Sequence, residues 1–363
     1  MKKILFLLGI IVLSDSCVER ADFSAKEALA QLVVEGLVTD EPGPYTVKLS
    51  RARKPLDFSA TVTVSAFRVT ISDDAGNSEV LTEVVPGTYQ TSVNGIRGVV
   101  GRSYVLKIET RDGKLYESIP DKLSAGGSID QLYASFEAKV QDNGTPQYRF
   151  KVFLDATTSS SNFYRWKFSA FYRVLTFPEQ RRVQAGEGTI AAPRPCSGYI
   201  FTGGQLEQVG PCTCCTCWPK LVDVNPIIST SQVPTNGKFQ GVEVGTVPLD
   251  YWLFFDKTMI EVKQLNISET ASRFWKTVED QKDGGTSLFQ PAIGQAGGNI
   301  LQKNGNDQVL GLFYAAGVAT SRIFIDKSNI PNTVPLPEAP PAIPESCILA
   351  FTNSSNQEPI GWR

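Results

Sequence analysis

Short runs in which apolar and polar residues alternate recur through the first third of the chain. Alternation places every second side chain on the same face, which is the period of a half-buried β-strand. The runs lie at residues 31–39, 45–50, 61–72, 79–84, 104–108 and 115–117. Asp112-Gly113 stands between the last two runs and is a strong β-hairpin signal. Short strands with a turn every ten or so residues predict an immunoglobulin-like β-sandwich over residues 29–121.

The remainder, residues 122–363, is also predicted to be a larger β-rich domain. Its predicted strands lie at residues 148–154, 164–168, 249–255, 259–265, 309–318 and 322–325. Tyr164, Trp166 and Phe168 alternate with Arg165 and Lys167. This aromatic row suits either a ligand platform or one core face of a long strand, and the core face is the more common outcome. The fold class is therefore mainly β.

One helix stands out in the second part. Ser268 is a suitable N-cap, Glu269 lies in the first turn, and Gly284-Gly285 ends the segment. Phe274 and Trp275 recur at helical spacing, and we expect them to be core residues rather than cofactor contacts. Residues 180–195 are expected to form a surface loop, and the Pro-rich residues 330–346 an irregular surface segment.

Composition narrows the function classes. The net charge is −2 and 20% of the residues are charged, so no basic surplus supports binding to nucleic acid. Histidine is absent, which excludes Ser-His-Asp and Cys-His nucleophile systems and His-ligated metal centres. We find no carboxylate pair to nominate as an acid and base. The sequence therefore predicts neither an enzyme nor a bound cofactor, and offers no catalytic residue.

The N-terminus has the form of an export signal. Lys2 and Lys3 precede a continuous apolar run of ten residues at positions 4–13, which is too short to span a bilayer. Small residues then lead to Cys17, an arrangement that resembles the lipobox of bacterial lipoproteins. In that class residues 1–16 are the signal peptide, Cys17 is lipidated, and residues 17–28 form a tether. The alternative is a plain signal peptide with an incidental cysteine.

Six further cysteines form an even set. They are Cys196, Cys212, Cys214, Cys215, Cys217 and Cys347. Export favours disulfides, and six cysteines allow 15 connectivities, including a vicinal bridge between the adjacent Cys214 and Cys215. A bond from the Cys212–Cys217 run to Cys347 would attach the Pro-rich segment to the body. The alternatives are a soft-metal site for Cu(I) or Zn(II) built from Cys212, Cys214, Cys215 and Cys217, or a redox role.

Several segments resemble a lipoprotein family of Bacteroidota known as domain of unknown function 4249. They are residues 32–51, 69–91, 212–218, 268–282, 287–300 and 309–318. The resemblance implies a lipid-anchored outer-membrane protein, on the periplasmic or cell-surface face, beside a TonB-dependent transporter. It implies a non-catalytic accessory or substrate-capture role and supplies no catalytic residues. The family leads us to expect Cys-x-x-Cys near the C-terminus, where this chain has only Cys347, so the pairing of the cysteines stays open.

Overall fold

A computed structural model describes residues 31–52, 62–142, 144–159, 163–222, 225–229, 234–284 and 296–363. The leader, Cys17 and the predicted tether lie outside these residues. The mainly β class is confirmed, whereas the immunoglobulin-like description of the first sandwich stays a prediction. In the described residues, no helix combines the length and the apolar character needed to cross a membrane.

About half of the described residues are in β-strands. The strands of the first third are β1 (Leu32–Thr39), β2 (Thr46–Arg51), β3 (Ala66–Asp73), β4 (Ser78–Val80), β5 (Thr82–Val85), β6 (Thr88–Gln90), β7 (Ser103–Thr110), β8 (Leu115–Ser118) and β9 (Asp121–Lys122). Those of the middle are β10 (Ser128–Val140), β11 (Pro146–Thr157), β12 (Tyr164–Tyr172), β13 (Val174–Leu175), β14 (Arg182–Ala185), β15 (Gly188–Ala191), β16 (Tyr199–Thr202) and β17 (Gln205–Gln208).

The last third contributes further strands and two α-helices among the described residues. The strands are β18 (Thr216–Val222), β19 (Ile227–Ile228), β20 (Lys238–Pro248), β21 (Lys257–Asn266), β22 (Ile300–Gln302), β23 (Leu310–Asp326) and β24 (Ser354–Ser355). The α-helices are α1 (Glu269–Gly284) and α2 (Cys347–Ala350), and short 3-10 turns lie at Pro178–Gln180, Pro195–Ser197 and Lys327–Asn329. The predicted helix is confirmed, and its N-cap Ser268 accepts a hydrogen bond from the amide of Ala271 at 3.2 Å.

One long sheet runs through the molecule. Its strand order is β13-β18-β12-β21-β23-β1-β2-β6-β5, with β19 beside β12 and β24 beside β18. Two smaller sheets, β22-β8-β7-β3-β4 (with β9 beside β7) and β10-β11-β20, cover one face of it. The first small sheet encloses a core that includes Val34, Ile71, Leu106 and Phe313. The second encloses the core built around Trp166.

The long sheet is continuous because β23 lies parallel to β1. Leu37 pairs with Tyr314 and Val38 with Ala315 in this register. Every residue from 311 to 316 is buried: Phe313 and Ala315 face the first core, while Leu312 and Tyr314 face α1. Parallel strands covered on both faces are typically continuous apolar runs, which explains residues 309–318. The predicted domain boundary at residue 121 stays a prediction, although strands on either side of it pair.

Gly36 allows this close packing. It lies on β1 opposite Phe313, and a Cβ at Gly36 would come within 2.8 Å of Cδ2 of the Phe313 ring. Atoms at that separation overlap, so a larger residue would displace the ring from the first core. The glycine at this position therefore has a packing role.

Three sequence predictions about local structure are corrected. Residues 249–255, predicted as a strand, form turns after β20, because Asp250 accepts a hydrogen bond from the amide of Trp252 at 2.8 Å and bends the chain. Residues 180–195 are not a plain loop, since they contain the β14–β15 hairpin. The two strands predicted at 309–318 and 322–325 are one continuous strand, β23.

Candidate functional site

All six predicted disulfide cysteines lie within bonding distance in three pairs. The pairs are Cys196–Cys214, Cys212–Cys215 and Cys217–Cys347. The adjacent Cys214 and Cys215 therefore have different partners, and the vicinal bridge is not formed. Cys217 and Cys347 are fully buried beside Val174, and the amide of Cys347 donates to the carbonyl of Cys214 at 2.9 Å.

The disulfides hold two parts of the chain to the body. Cys196–Cys214 and Cys212–Cys215 lie at the base of the exposed β16–β17 hairpin. Cys217–Cys347 ties the C-terminal segment to β18, and the Arg194 guanidinium donates to Glu345 at 2.6 Å nearby. A disulfide sulfur is not a thiolate ligand, so Cu(I) or Zn(II) binding by the Cys212–Cys217 run would first require reduction of these bonds.

A second candidate site lies on the other face of the long sheet. Odd-numbered residues of β1 and β12 face away from the two cores, and α1 packs over the same face. Between them lies a groove of about 580 Å³. We call it the cationic groove. The residues that line it include Leu37, Lys48, Arg165, Lys167, Phe274 and Trp275. An adjoining cavity of about 330 Å³ shares Leu37 and Lys167 with the groove and is also lined by Glu41 and Lys263.

Arg165 is held in place by two aromatic side chains. Its guanidinium carbon lies 3.5 Å from the centroid of the Trp275 ring, a cation–π geometry. Its Nη1 donates to the Tyr314 hydroxyl at 3.0 Å. The Nε of Arg165 and the Nε1 of Trp275 are both buried without a hydrogen-bond acceptor among the described residues. The groove therefore contains a guanidinium group in a fixed position and two buried N–H donors without an acceptor among the described residues.

Lys167 is the second cation of the groove. Its side chain is solvent-exposed but lines both cavities. These concave surroundings reduce hydration of the ammonium group and lower the pKa of Lys167 to about 8, and the charges of Arg165, Lys220 and Lys263 act in the same direction. Glu41 opposes the shift. An ammonium group with this pKa is still mostly charged at neutral pH.

The aromatic side chains of β12 and the cationic side chains that alternate with them face opposite sides of the long sheet. Tyr164, Trp166 and Phe168 are buried in the second core, as predicted, and the Trp166 indole donates to Gln264 at 2.9 Å. Arg165 and Lys167 consequently face the groove. The groove is not predicted from the sequence, although the alternation of aromatic rings with cations in residues 164–168 is a signal for it.

Phe274 and Trp275 are half-buried on α1 and pack against Tyr314 and Leu265. They belong both to a third core, which α1 forms with Leu312 and Tyr314 on the outer face of the long sheet, and to the wall of the groove. The prediction that they are core residues is therefore incomplete. Val278, one turn further along α1, extends the apolar wall. The same helix thus covers the sheet and forms one side of the candidate site.

Comparison with known proteins agrees with the resemblance carried by the sequence segments. A family model described as Domain of unknown function (DUF4249) matches residues 19–322, which is well over half of the chain. No curated protein matches the sequence significantly. The matched range includes the cationic groove and five of the six disulfide cysteines, and it ends before Cys347. The chain therefore belongs to the family of this domain of unknown function (DUF4249).

Proposed function

We propose that this protein is an outer-membrane lipoprotein that captures a substrate beside a TonB-dependent transporter and has no chemistry of its own. The leader, the lipobox-like approach to Cys17 and the family resemblance support the membrane placement. The three disulfides support export, because such bonds form and persist in oxidising compartments. The transporter partner rests on the family resemblance alone.

The cationic groove is the observation that favours capture over a purely structural role. Ligand sites are typically concave, mostly apolar, and supplied with a few placed polar groups. The groove has that form, because aromatic rings make its wall and Arg165 and Lys167 supply the polar groups. It also lies on the sheet that joins the two cores, which is a rigid place for a binding site.

The membrane anchor is tested at Cys17. We expect the wild-type protein in the membrane fraction, with an intact mass raised by acyl chains on the mature N-terminus. We expect Cys17→Ala to lose that mass and to leave the membrane fraction. Ser16→Ala, which keeps the cysteine, is the matched control and should stay membrane-bound. Wild-type protein with an unmodified N-terminus would contradict the proposal.

The partner is tested by mild detergent extraction and co-purification of the wild-type protein. We expect a large β-barrel transporter to co-purify in a defined ratio and to be absent when Cys17→Ala is the bait. A preparation that is lipidated but contains no transporter would be consistent with the proposed lipid anchor and would overturn the accessory role.

A further inference from the structure

Some cations on the outer face of the long sheet form ion pairs with carboxylates, and others do not. Lys263 donates to both carboxylate oxygens of Glu41 at 2.7 and 2.9 Å, and Arg322 pairs with Glu261. By contrast, no carboxylate in the described part of the chain lies within ion-pair distance of Arg165 or Lys167. Glu35 lies across the groove, opposite Lys48 on the neighbouring strand.

This excess of positive charge is local. The whole chain has a net charge of −2, so the groove differs in sign from the protein that contains it. Clustered like charges repel one another, and the lowered pKa of Lys167 has that repulsion among its causes. An anion in the groove would reverse this effect, since it would interact favourably with both Arg165 and Lys167.

The apolar wall limits the anion to one that carries a nonpolar body. Phe274, Trp275 and Val278 line the helix side of the groove, and Leu37 and Leu312 line its sheet side. A naked inorganic anion would leave these rings exposed to water, and a cationic ligand would be repelled by Arg165 and Lys167. A volume of about 580 Å³ fits a small organic molecule and is too small for a folded partner.

We propose that the cationic groove binds a small organic carboxylate with a planar, apolar body, whose charge lies against Lys167 and Arg165 and whose ring lies against Phe274 and Trp275. The inference names the ligand class for the capture role and in that respect rests on the proposed function. Arg165 is already held by Trp275 and Tyr314 before ligand binds, so little side-chain ordering is needed at that position.

The test is calorimetric titration of the mature protein in detergent with 2-naphthoate, with protein-free micelles subtracted. Its neutral isostere 2-naphthamide separates charge from shape, and octanoate separates a ring from an alkyl chain. We expect 2-naphthoate to bind, and each of the other two probes to bind at least about tenfold more weakly, which corresponds to about 1.4 kcal/mol.

Lys167→Met tests the site, because methionine keeps an unbranched apolar side chain of similar length and removes the ammonium group with its charge and donors. We expect at least a tenfold loss of 2-naphthoate affinity. Lys139→Met removes an exposed lysine at the far end of β10 and is the matched control, with an expected change below twofold. Equal affinities of the wild type and Lys167→Met would overturn the proposal, as would equal binding of naphthoate and naphthamide.

The pH dependence of affinity gives a second readout that a structural defect would not reproduce. The carboxyl group of 2-naphthoate stays ionised above neutral pH, whereas Lys167 loses its proton as the pH rises through about 8. Its charged neighbours are Arg165, Lys48 and Glu35 in the cationic groove, Lys263 and Glu41 in the adjoining cavity, and Lys220 on β18. Affinity of the wild type should therefore fall between pH 7 and 9.5, and that of Lys167→Met should not.

The outcomes separate this inference from the proposed function. If the protein is lipidated and co-purifies with a transporter but does not bind 2-naphthoate, only the proposed ligand class is overturned. Binding with the expected charge and pH dependence by a protein that lacks both properties would support the ligand class and overturn the membrane role.

Discussion

Removal of the Cys217–Cys347 disulfide, as Cys217→Ala with Cys347→Ala, should lower the free energy of unfolding by about 5 kcal/mol. The two cysteines are 130 residues apart in the sequence, and a cross-link of that span removes much of the entropy of the unfolded chain. Both cysteines are also fully buried. The measurement is denaturant unfolding under oxidising conditions, followed by tryptophan fluorescence.

The other two disulfides are the controls for this experiment. The separation is 18 residues for Cys196–Cys214 and 3 for Cys212–Cys215. The same chain-entropy relation gives losses of about 3 and about 2 kcal/mol when each pair is replaced by alanines. Each double variant leaves no unpaired thiol from the pair that it removes. A loss for the Cys217–Cys347 variant no larger than that of the Cys212–Cys215 variant would contradict the expectation.

Phe313→Ala should destabilise the protein by about 3–5 kcal/mol, the usual cost of emptying a buried phenylalanine site. The ring is fully buried in the first core, although the residue belongs to β23 near the end of the chain. Its backbone hydrogen bonds with Asn299, at 2.6 and 3.0 Å, are unaffected by the substitution. The loss would therefore report packing of β23 against the first sandwich.

Phe324→Ala is the matched control, on the same strand. Phe324 is 37% exposed and contacts Trp362 and Lys257 at the surface. Surface aromatic contacts contribute about 0.5–1.5 kcal/mol, so its free energy of unfolding should change far less. If the two variants lose equal stability, or if Phe313→Ala is neutral, then β23 does not complete the first core.

Several strands were predictable because their alternating pattern and their turns are set by residues that are close together in the sequence. The β7–β8 hairpin follows from alternation on both sides of Asp112-Gly113, and its register is local. The helix was predictable from Ser268, the apolar spacing and the terminal glycines. Strand β10 and the β14–β17 hairpins escaped prediction, because many of their side chains are exposed and their pattern is weak.

By itself, the sequence determined the mainly β class, the long helix α1, the export-like leader and an even set of six cysteines that could pair. Each of these depends on composition or on neighbours along the chain. Tertiary structure alone decided the cysteine pairing, the parallel contact of β1 with β23, and the cationic groove. Arg165 and Trp275 are 110 positions apart (275 − 165) and meet only because α1 folds back over the sheet. Local periodicity has no information about such contacts, since they depend on which surfaces are buried together.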